Sequence, residues 1–435
     1  MKNLKRIVSL CLVFAVMFVL PLSTVAQASG KEVLRVAWWG NTNRDKLYFA
    51  INDLFMAENP NVEIVTESPG WADYWVSMAT AYASGSAPDV VQFQSNQIGE
   101  YCSKGVLLPL DGYVADGTID LSEWNASYAA TGNYEDQLYM ISLGITAQSM
   151  IINKTMIEKY GMTLWEEDEN ISWEEFETFL NELQQKLPED TYAALDFYNN
   201  NDLAWVWIRQ NSPIGTEWVD AEGKFAPTLE TLSSWYDLAN RLRQTGAIAN
   251  AAWTQEWAAR AWQEGALAMG KVAFFFANAN QYKMFQNGIA DDIVLRRVPT
   301  HPGGQNEFGD LLITSSFGIS KTAKNPDLAA RYIDFFVNNM EAQKIFKMEL
   351  GVIGNQTIQA ELNKDADPSD VKAAEYLGRV GASTLPFIPK APGVWAVQSE
   401  IESASHMVAE GVMTPEQAAQ SIIDIANDII AENAK

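Results

Sequence analysis

The sequence contains few of the residues on which metal and thiol chemistry depend. It has two histidines and two cysteines in 435 residues. His301 and His406 have no partner at the spacing of a metal site or a catalytic triad. Cys11 lies in the apolar N-terminal segment, so Cys102 is left without an intramolecular disulfide partner once that segment is removed. The composition therefore argues against zinc sites, thiol catalysis and a disulfide framework, and stability has to come from packing.

Positive charge is also scarce. The chain has 30 basic and 55 acidic residues, which gives a formal net charge of −25. Nucleic acid and anionic membranes are therefore poor partners. The acidic residues are spread along the chain, a distribution that favours solubility. No phosphate-binding loop and no dinucleotide fingerprint occur, so the sequence predicts no cofactor.

The chain has no apolar run long enough to span a bilayer. Residues 1–28 have a basic start, an apolar stretch over residues 7–22 and the small residues Ala26 and Ala28 around Gln27. This pattern is typical of a cleaved signal peptide. The apolar stretch is shorter than the roughly 20 residues that a membrane-spanning helix needs. We therefore expect an exported protein, located in the periplasm or on the outer face of the cytoplasmic membrane.

The periodicity predicts an α/β protein with two lobes. Residues 31–38 alternate like a strand, residues 43–58 carry a helical apolar stripe, and residues 62–65 resume as a strand, which together make a β-α-β unit. Ser172 and Glu175 form the capping box of a later helix. A chain of about 400 residues after cleavage exceeds the roughly 250–300 residues at which one hydrophobic core stops growing.

Residues 69–110 contain one wall of a predicted ligand cleft. A tryptophan-rich segment, predicted as a loop, leads through a helix to a strand over residues 90–93, which ends in Gln94, Ser95, Asn96 and Gln97. The carboxyl ends of strands are where open α/β sheets bind their ligands. Amides and a hydroxyl can bind a neutral, hydroxyl-rich molecule, but they include no nucleophile or base.

Aromatic residues are abundant, with 15 tryptophans in the chain. A pyranose ring has an apolar C–H face and a polar rim, so its binder needs flat aromatic surfaces and polar edge groups. Most such rings belong to the core, but a few lie at strand ends beside turns. The candidates of this kind in the first lobe, with the asparagine that follows Gly40, are Trp38, Trp39, Asn41, Trp71 and Tyr74.

Polar residues follow predicted strands in the second lobe as well. Asn200 and Asp202 follow a strand-like segment, although an exposed polar loop is an equal alternative. Another predicted strand ends in the candidates Phe276, Asn278 and Asn280. Arg44 is expected to pair with acidic neighbours rather than to bind an acidic sugar.

Five segments in order resemble one known family. They lie in residues 33–41, 83–113, 137–162, 264–282 and 317–339, and include VLRVAWWGN, ASGSAPDVVQF and FGISKTAKNPDLAARYIDFF. The chain resembles the extracellular solute-binding proteins of carbohydrate ABC transporters, family 1, the group that includes maltose-binding protein. Many members carry a lipidation motif, which this sequence lacks, so a membrane tether is left open.

The resemblance implies a periplasmic-binding-protein-like fold, in which two lobes with mixed sheets flanked by helices are joined by a hinge around a ligand cleft. The implied N-terminal lobe is residues 31–143 plus 311–366, and the C-terminal lobe is residues 144–310 plus 367–435. The crossings fall near Gly144, Gly309 and Pro368, where the two glycines would tolerate hinge motion.

The resemblance also implies ligand contacts and partners. The positions that match the family's sugar-binding positions, or fit beside the first crossing, are Asn96, Gln97, Thr146, Gln148 and Trp395. The implied function is binding of a carbohydrate, with an oligosaccharide favoured by the many tryptophans, and delivery of it to ABC permease subunits by a monomeric protein that is not an enzyme.

Two other functions stay open at this level. A secreted glycoside hydrolase needs only two carboxylates, and 55 acidic residues always offer a pair. A protein of the same fold that binds polyamines or other cations would suit the negative charge. The identity, linkage, length and charge of the sugar are also open.

Overall fold

The computed structural model describes residues 30–433, except residues 199, 214, 215, 217, 221, 385–388, 390 and 391. The predicted signal peptide lies outside the described residues. The strands are β1 Glu32–Ala37, β2 Val62–Glu67, β3 Val90–Gln94, β4 Asn133–Tyr134, β5 Gln137–Leu138, β6 Met140–Asn153, β7 Tyr192–Ala194, β8 Val272–Asn278, β9 Ile293–Arg296 and β10 Leu312–Ile319.

Helices alternate with these strands. In the first half of the chain they are α1 Thr42–Glu58, α2 Trp71–Ala83, α3 Ile98–Ser103, α4 Asp111–Ala115, α5 Ala126–Ala129, α6 Lys154–Lys159, α7 Trp173–Gln184 and α8 Asn201–Gln210. In the second half they are α9 Leu229–Thr245, α10 Ala251–Ala258, α11 Tyr282–Gly288, α12 Pro326–Asn338, α13 Met340–Phe346, α14 Gln356–Asn363, α15 Pro368–Ser383, α16 Val394–Ala409 and α17 Pro415–Asn433. No helix in the described part of the chain has the length and apolar content to cross a bilayer.

The N-terminal β-α-β unit is confirmed. Strands β1 and β2 pair in parallel around α1, with Glu32 aligned with Val62. Asn41 caps α1, because its side-chain oxygen accepts hydrogen bonds from the backbone N–H groups of Asn43 and Arg44. The tryptophan-rich segment that was predicted as a loop instead forms the start of α2, which begins at Trp71.

One long strand joins the two lobes. The sheet order is β2-β1-β3-β10-β6-β8-β7, and β9 also pairs with β6. The first part of β6 pairs with β10 as far as Ala147, and the second part pairs with β8 from Gln148 onward. All 14 residues of β6 are buried. We call the part with β1, β2, β3 and β10 the N-terminal lobe, and the part with β7, β8 and β9 the C-terminal lobe.

Each lobe has an apolar core. In the N-terminal lobe, the core includes Leu34, Tyr48 and Phe317. In the C-terminal lobe, helices α7, α9, α16 and α17 cover β7 and β8, with residues such as Phe176 buried between them. The predicted capping box of α7 is confirmed: the Ser172 hydroxyl accepts from the Glu175 N–H, and the Ser172 N–H donates to the Glu175 carboxylate at 2.7 Å.

The two crossing glycines are required by close packing. A Cβ atom on Gly144 would lie 2.6 Å from the carbonyl carbon of Leu350. Gly309 has a φ of +61°, and a Cβ there would lie 2.5 Å from the carbonyl oxygen of Val206. The sequence analysis expected these glycines to tolerate hinge motion. Close contact with Leu350 is enough to explain why position 144 is glycine. At position 309, close contact and a left-handed backbone together require glycine.

Candidate functional site

Four aromatic rings form a cluster at the carboxyl end of β1 and the start of α2. Trp39 contacts Trp71 and Tyr74 edge to face, with ring centroids 5.1 and 5.6 Å apart, and Trp75 packs on all three. Trp39 is buried, whereas Trp71 is 42% exposed. We call these four residues the aromatic cluster. Trp71 is the most exposed member, and Trp75 is half-buried.

Trp38 and Tyr74 differ from the sequence-based expectation, because both are fully buried. Trp38 stacks on Tyr48 at 4.5 Å, and its indole N–H donates to Asp45 at 2.9 Å. The Tyr74 hydroxyl donates to the carbonyl of Gln92 at 2.7 Å, and burial raises its pKa. Neither ring has a free surface, so both support the predicted cleft wall from inside the lobe. The expectation that they contact the ligand is therefore not met.

The polar turn after β3 combines satisfied and unsatisfied groups. The Gln97 side chain is buried and accepts from the backbone N–H of Gln94 at 3.3 Å. The Ser95 hydroxyl accepts from the backbone N–H of Thr314 at 3.1 Å. Asn96 Oδ1 is buried and has no hydrogen-bond partner among the described residues. A buried acceptor without a donor is costly, so Asn96 is the member of this turn best placed to accept a ligand hydroxyl.

Three carboxamides form a row at the edge of the C-terminal lobe. Gln148 Nε2 donates to Asn278 Oδ1 at 2.6 Å, and Asn200 Nδ2 donates to Gln148 Oε1 at 3.0 Å. We call these three residues the amide row. Beside it, the Thr146 hydroxyl accepts from the backbone N–H of Asn280 at 3.3 Å. The structure thus brings together five candidates that the sequence indicated separately.

Strand β10 connects the polar turn to the amide row. It pairs with β3 on one side, where Ser315 is aligned with Gln94, and with β6 on the other, where Ile313 is aligned with Thr146. The polar turn and Gln148 therefore belong to strands that are separated by β10 alone. Asn278 lies one strand further on, in β8.

The other candidates lie around this region. Asp202 is in the first turn of α8 and is half-buried. Phe276 is 7% exposed and packs on Phe197 at 4.5 Å. Asn41 is exposed and uses its side-chain oxygen to cap α1. The side chain of Trp395 lies outside the described residues.

A cavity of about 360 Å³ opens beside the amide row in the C-terminal lobe. Asn200 and Phe276 line it, as does Gln281, which follows the same strand as the candidates Asn278 and Asn280. Two further lining residues, Trp257 and Trp262, were missed by sequence reasoning; they precede β8, and no local pattern marks them as cavity residues.

Arg44 pairs with a distant acid. Its guanidinium lies 3.2 Å from the Glu349 carboxylate, and it also donates to the carbonyl of Trp39 at 3.2 Å. The expectation of an ion pair rather than a sugar contact agrees with this geometry, although the partner is 305 residues away rather than an acidic neighbour in sequence.

A buried ion pair fixes the second crossing. Asp310 is almost fully buried, and its carboxylate pairs with Arg297. Burial raises the pKa of the Asp310 carboxyl, and Arg297 opposes that shift. Arg209 and Thr384 donate to the Asp310 carbonyl at 2.7 and 2.8 Å. The pair therefore ties the segment before β10 to the C-terminal lobe.

One carboxylate of the described residues lines the cavity beside the amide row. Asp196 is buried and pairs with Arg243 at 2.7 Å. Within the described ranges, no group of three or more His, Cys, Asp or Glu side chains is arranged to hold a metal ion.

Comparison with known proteins identifies the family. The model of the bacterial extracellular solute-binding proteins matches residues 40–343. A maltotriose-binding protein of Pyrococcus abyssi is 28% identical over 134 residues, which is 30% of this chain and 28% of that protein. The match therefore spans little more than a quarter of that relative's length.

Two solved structures have a similar fold. A periplasmic solute binding protein from Pectobacterium atrosepticum has a TM-score of 0.79 at 20% identity, over 93% of this chain and 100% of that one. A periplasmic oligogalacturonide binding protein from Yersinia enterocolitica, in complex with saturated digalacturonic acid, has a TM-score of 0.76 at 20% identity and the same coverage. These similarities confirm the predicted two-lobed α/β fold. Because the family model covers more than half of the sequence, the chain belongs to the bacterial extracellular solute-binding proteins.

Proposed function

We propose that this protein binds an oligosaccharide in the cleft between its lobes, outside the cytoplasmic membrane, and delivers it to the permease of an ABC importer. The observation that carries the proposal is the amide row at the point where β6 changes its pairing partner. Carboxamides both donate and accept hydrogen bonds, as sugar hydroxyls do, and they carry no charge.

The opposite wall supports the same ligand class. Trp71 offers an exposed ring, and Asn96 offers a buried acceptor that lacks a donor. An aromatic surface suits the C–H face of a sugar, and the amide suits its rim. Among the similar proteins, one is named as binding maltotriose and another as binding oligogalacturonide, which are both oligosaccharides.

We further propose that the bound sugar is not chemically changed. The family supports this, because its members are solute-binding proteins. A glycoside hydrolase needs two carboxyl groups, whereas Asp196 is the one acidic residue among the described residues that line the cavity beside the amide row, and it pairs with Arg243. The same proposal includes export by a cleaved signal peptide, which the pattern of residues 1–28 supports. It also includes action as a monomer that meets a permease, which the family supports.

Isothermal calorimetry against neutral and acidic mono- and oligosaccharides tests this function. We expect saturable binding of at least one sugar, with little change between low and high salt, because an uncharged ligand is not screened. Steep weakening with salt and preference for a polyamine would support the cation-binding alternative. A product that appears on prolonged incubation would support the hydrolase. If the folded protein bound none of the tested sugars, carbohydrate binding would be refuted.

Variants of exposed aromatics localise the ligand. Trp71→Ala should weaken binding by about 2- to 10-fold, the loss expected for one aromatic contact. Phe49→Ala is the matched control, because Phe49 is also an exposed ring of the N-terminal lobe, 44% exposed, but lies on α1 outside the aromatic cluster. Equal losses in the two variants would contradict a specific role of the aromatic cluster.

A further inference from the structure

The cavity beside the amide row, which we call the C-lobe pocket, lies at the carboxyl ends of β7 and β8. Its volume of about 360 Å³ is within the roughly 300–1,000 Å³ of small-molecule sites. The residues that the argument uses are Asn200, Arg260, Trp262, Phe275 and Gln281. Through Asn200, the pocket shares a residue with the amide row, because Asn200 Nδ2 donates to Gln148 at 3.0 Å.

The pocket presents partly exposed aromatic surface. Side chains alternate along β8, so that Phe274 faces the main core of the C-terminal lobe and is buried. Phe275 points to the opposite face and is half-buried, as is Trp262, and both rings also pack against a second apolar core of this lobe. Two partly exposed rings in one concave site offer an apolar surface to a ligand.

Trp262 is held in place before any ligand arrives. Its ring contacts Phe285 edge to face, with centroids 5.9 Å apart. It also lies over Gly288, where a Cβ atom would be 2.3 Å from the indole ring. A side chain at position 288 would displace the ring, so glycine there preserves its orientation. A fixed aromatic surface lowers the entropic cost of binding.

The charges around the pocket are matched. The Arg260 guanidinium lies over the Trp257 ring at 3.7 Å and pairs with Glu256 at 2.5 Å. Asp196 is paired with Arg243. The polar rim that remains consists of the carboxamides of Asn200 and Gln281, of which Gln281 is exposed. These are neutral groups that suit hydroxyls.

We propose that the C-lobe pocket binds one uncharged terminal sugar ring of an oligosaccharide whose other rings occupy the cleft. The proposal rests on the carbohydrate-binding function above and makes it more specific: the ligand has at least two rings, and its end enters the C-terminal lobe. Trp262 and Phe275 contact the apolar face of the ring, and Asn200 and Gln281 bind its hydroxyls.

Affinity as a function of chain length tests the proposal. The probes are malto- and cello-oligosaccharides of one to six units, with oligogalacturonides as the charged comparison. The variants are Trp262→Ala and Gln281→Ala, the second of which changes an exposed side chain and leaves folding intact. Trp165→Ala is the control, because Trp165 is a half-buried ring of the same lobe that packs on Phe179 at 5.4 Å and does not line the pocket.

For a neutral series that binds, we expect Trp262→Ala to weaken the longer oligomers about 10-fold and Gln281→Ala about 3-fold, while the shortest bound sugar changes less than about 2-fold. Trp165→Ala should leave the length dependence unchanged. Equal losses at every length, no loss at all, or better binding of oligogalacturonides than of neutral sugars would overturn the pocket assignment while leaving carbohydrate binding intact. If the wild-type protein binds no sugar of any series, the proposed function itself fails.

Discussion

The buried ion pair at the second crossing gives a prediction that does not depend on the ligand. Asp310→Asn removes the charge that faces Arg297, whose side chain is 13% exposed and is left in a largely dry site. Breaking a buried pair by removing one partner costs about 3–5 kcal/mol, because the remaining charge is not compensated. Arg297 keeps its hydrogen bond to the Ser383 hydroxyl and its contact with the Phe308 ring. We therefore expect a loss near the lower end, ~3 kcal/mol.

Thermal unfolding measures this loss. One kcal/mol shifts the melting temperature by roughly 2–4 °C in a chain of 150–250 residues and by less in a longer one, so we expect a decrease of about 3–6 °C. The control is Glu177→Gln, which breaks the exposed pair with Arg241, whose two hydrogen bonds are both 2.9 Å long. Exposed pairs contribute only ~0–1 kcal/mol, so the control should shift little.

The double variant Asp310→Leu with Arg297→Met sharpens the test. Replacing both charges by apolar side chains of similar size is often neutral for a buried pair, so it should recover most of the lost stability. The reasoning would be refuted if Asp310→Asn cost no more than Glu177→Gln, or if the double variant were less stable than the single one.

Three shorter predictions concern other contacts. Gln148→Ala removes the partner of Asn278 Oδ1 and of Asn200 Nδ2, while Asn200 Oδ1 keeps its hydrogen bond from the Leu203 N–H. The variant should therefore lower the free energy of unfolding by ~1–3 kcal/mol in denaturant titration and weaken sugar binding; unchanged stability would contradict the hydrogen bonds. The Gly393 N–H donates to the Glu100 carboxylate at 3.1 Å and so joins the two lobes. Glu100→Gln weakens this hydrogen bond, and the rate of sugar release in stopped-flow experiments should rise about 2- to 5-fold. An unchanged rate would show that the contact does not limit opening of the lobes. Cys102 is buried, and burial raises its pKa to about 12. In a protein that starts at Ser29, and so lacks Cys11, the Cys102 thiol should react with a disulfide reagent at pH 8 only after unfolding. Fast reaction of the folded protein would contradict the burial of Cys102.

The α/β class and the first β-α-β unit follow from local sequence. Alternation over β1 and the helical stripe of α1 involve neighbours a few residues apart, which a sequence shows directly. The change of partner along β6 cannot be predicted in this way. It depends on β10, more than 150 residues later, and on β8, more than 120 residues later. Strand β6 is buried throughout and mixes apolar with polar residues, so its local pattern does not show where one pairing ends.

The part of the candidate site that lies at the ends of strands could be predicted from the sequence. Asn96 and Asn278 were found because each follows a strand, and the carboxyl ends of strands form the ligand edge of such sheets. The hydrogen bonds among Gln148, Asn200 and Asn278 require the register of β6 against β8, which is a non-local property. Trp262 was missed for the same reason, since the position of its half-buried ring depends on Gly288 in a different element.

The aromatic residues show why position in the sequence does not separate contact from support. Trp38 and Trp39 are adjacent and both follow β1, yet Trp38 is fully buried on Tyr48 whereas Trp39 packs beneath the exposed Trp71. Loss of sugar binding in a Trp38 variant would therefore report damage to the core, which for a large buried ring costs about 3–5 kcal/mol. Only the substitution of an exposed ring, such as that of Trp71, can lower the affinity for sugar without a matching loss of stability. Affinity and stability must therefore be measured together on every aromatic variant before any ring is assigned to the sugar.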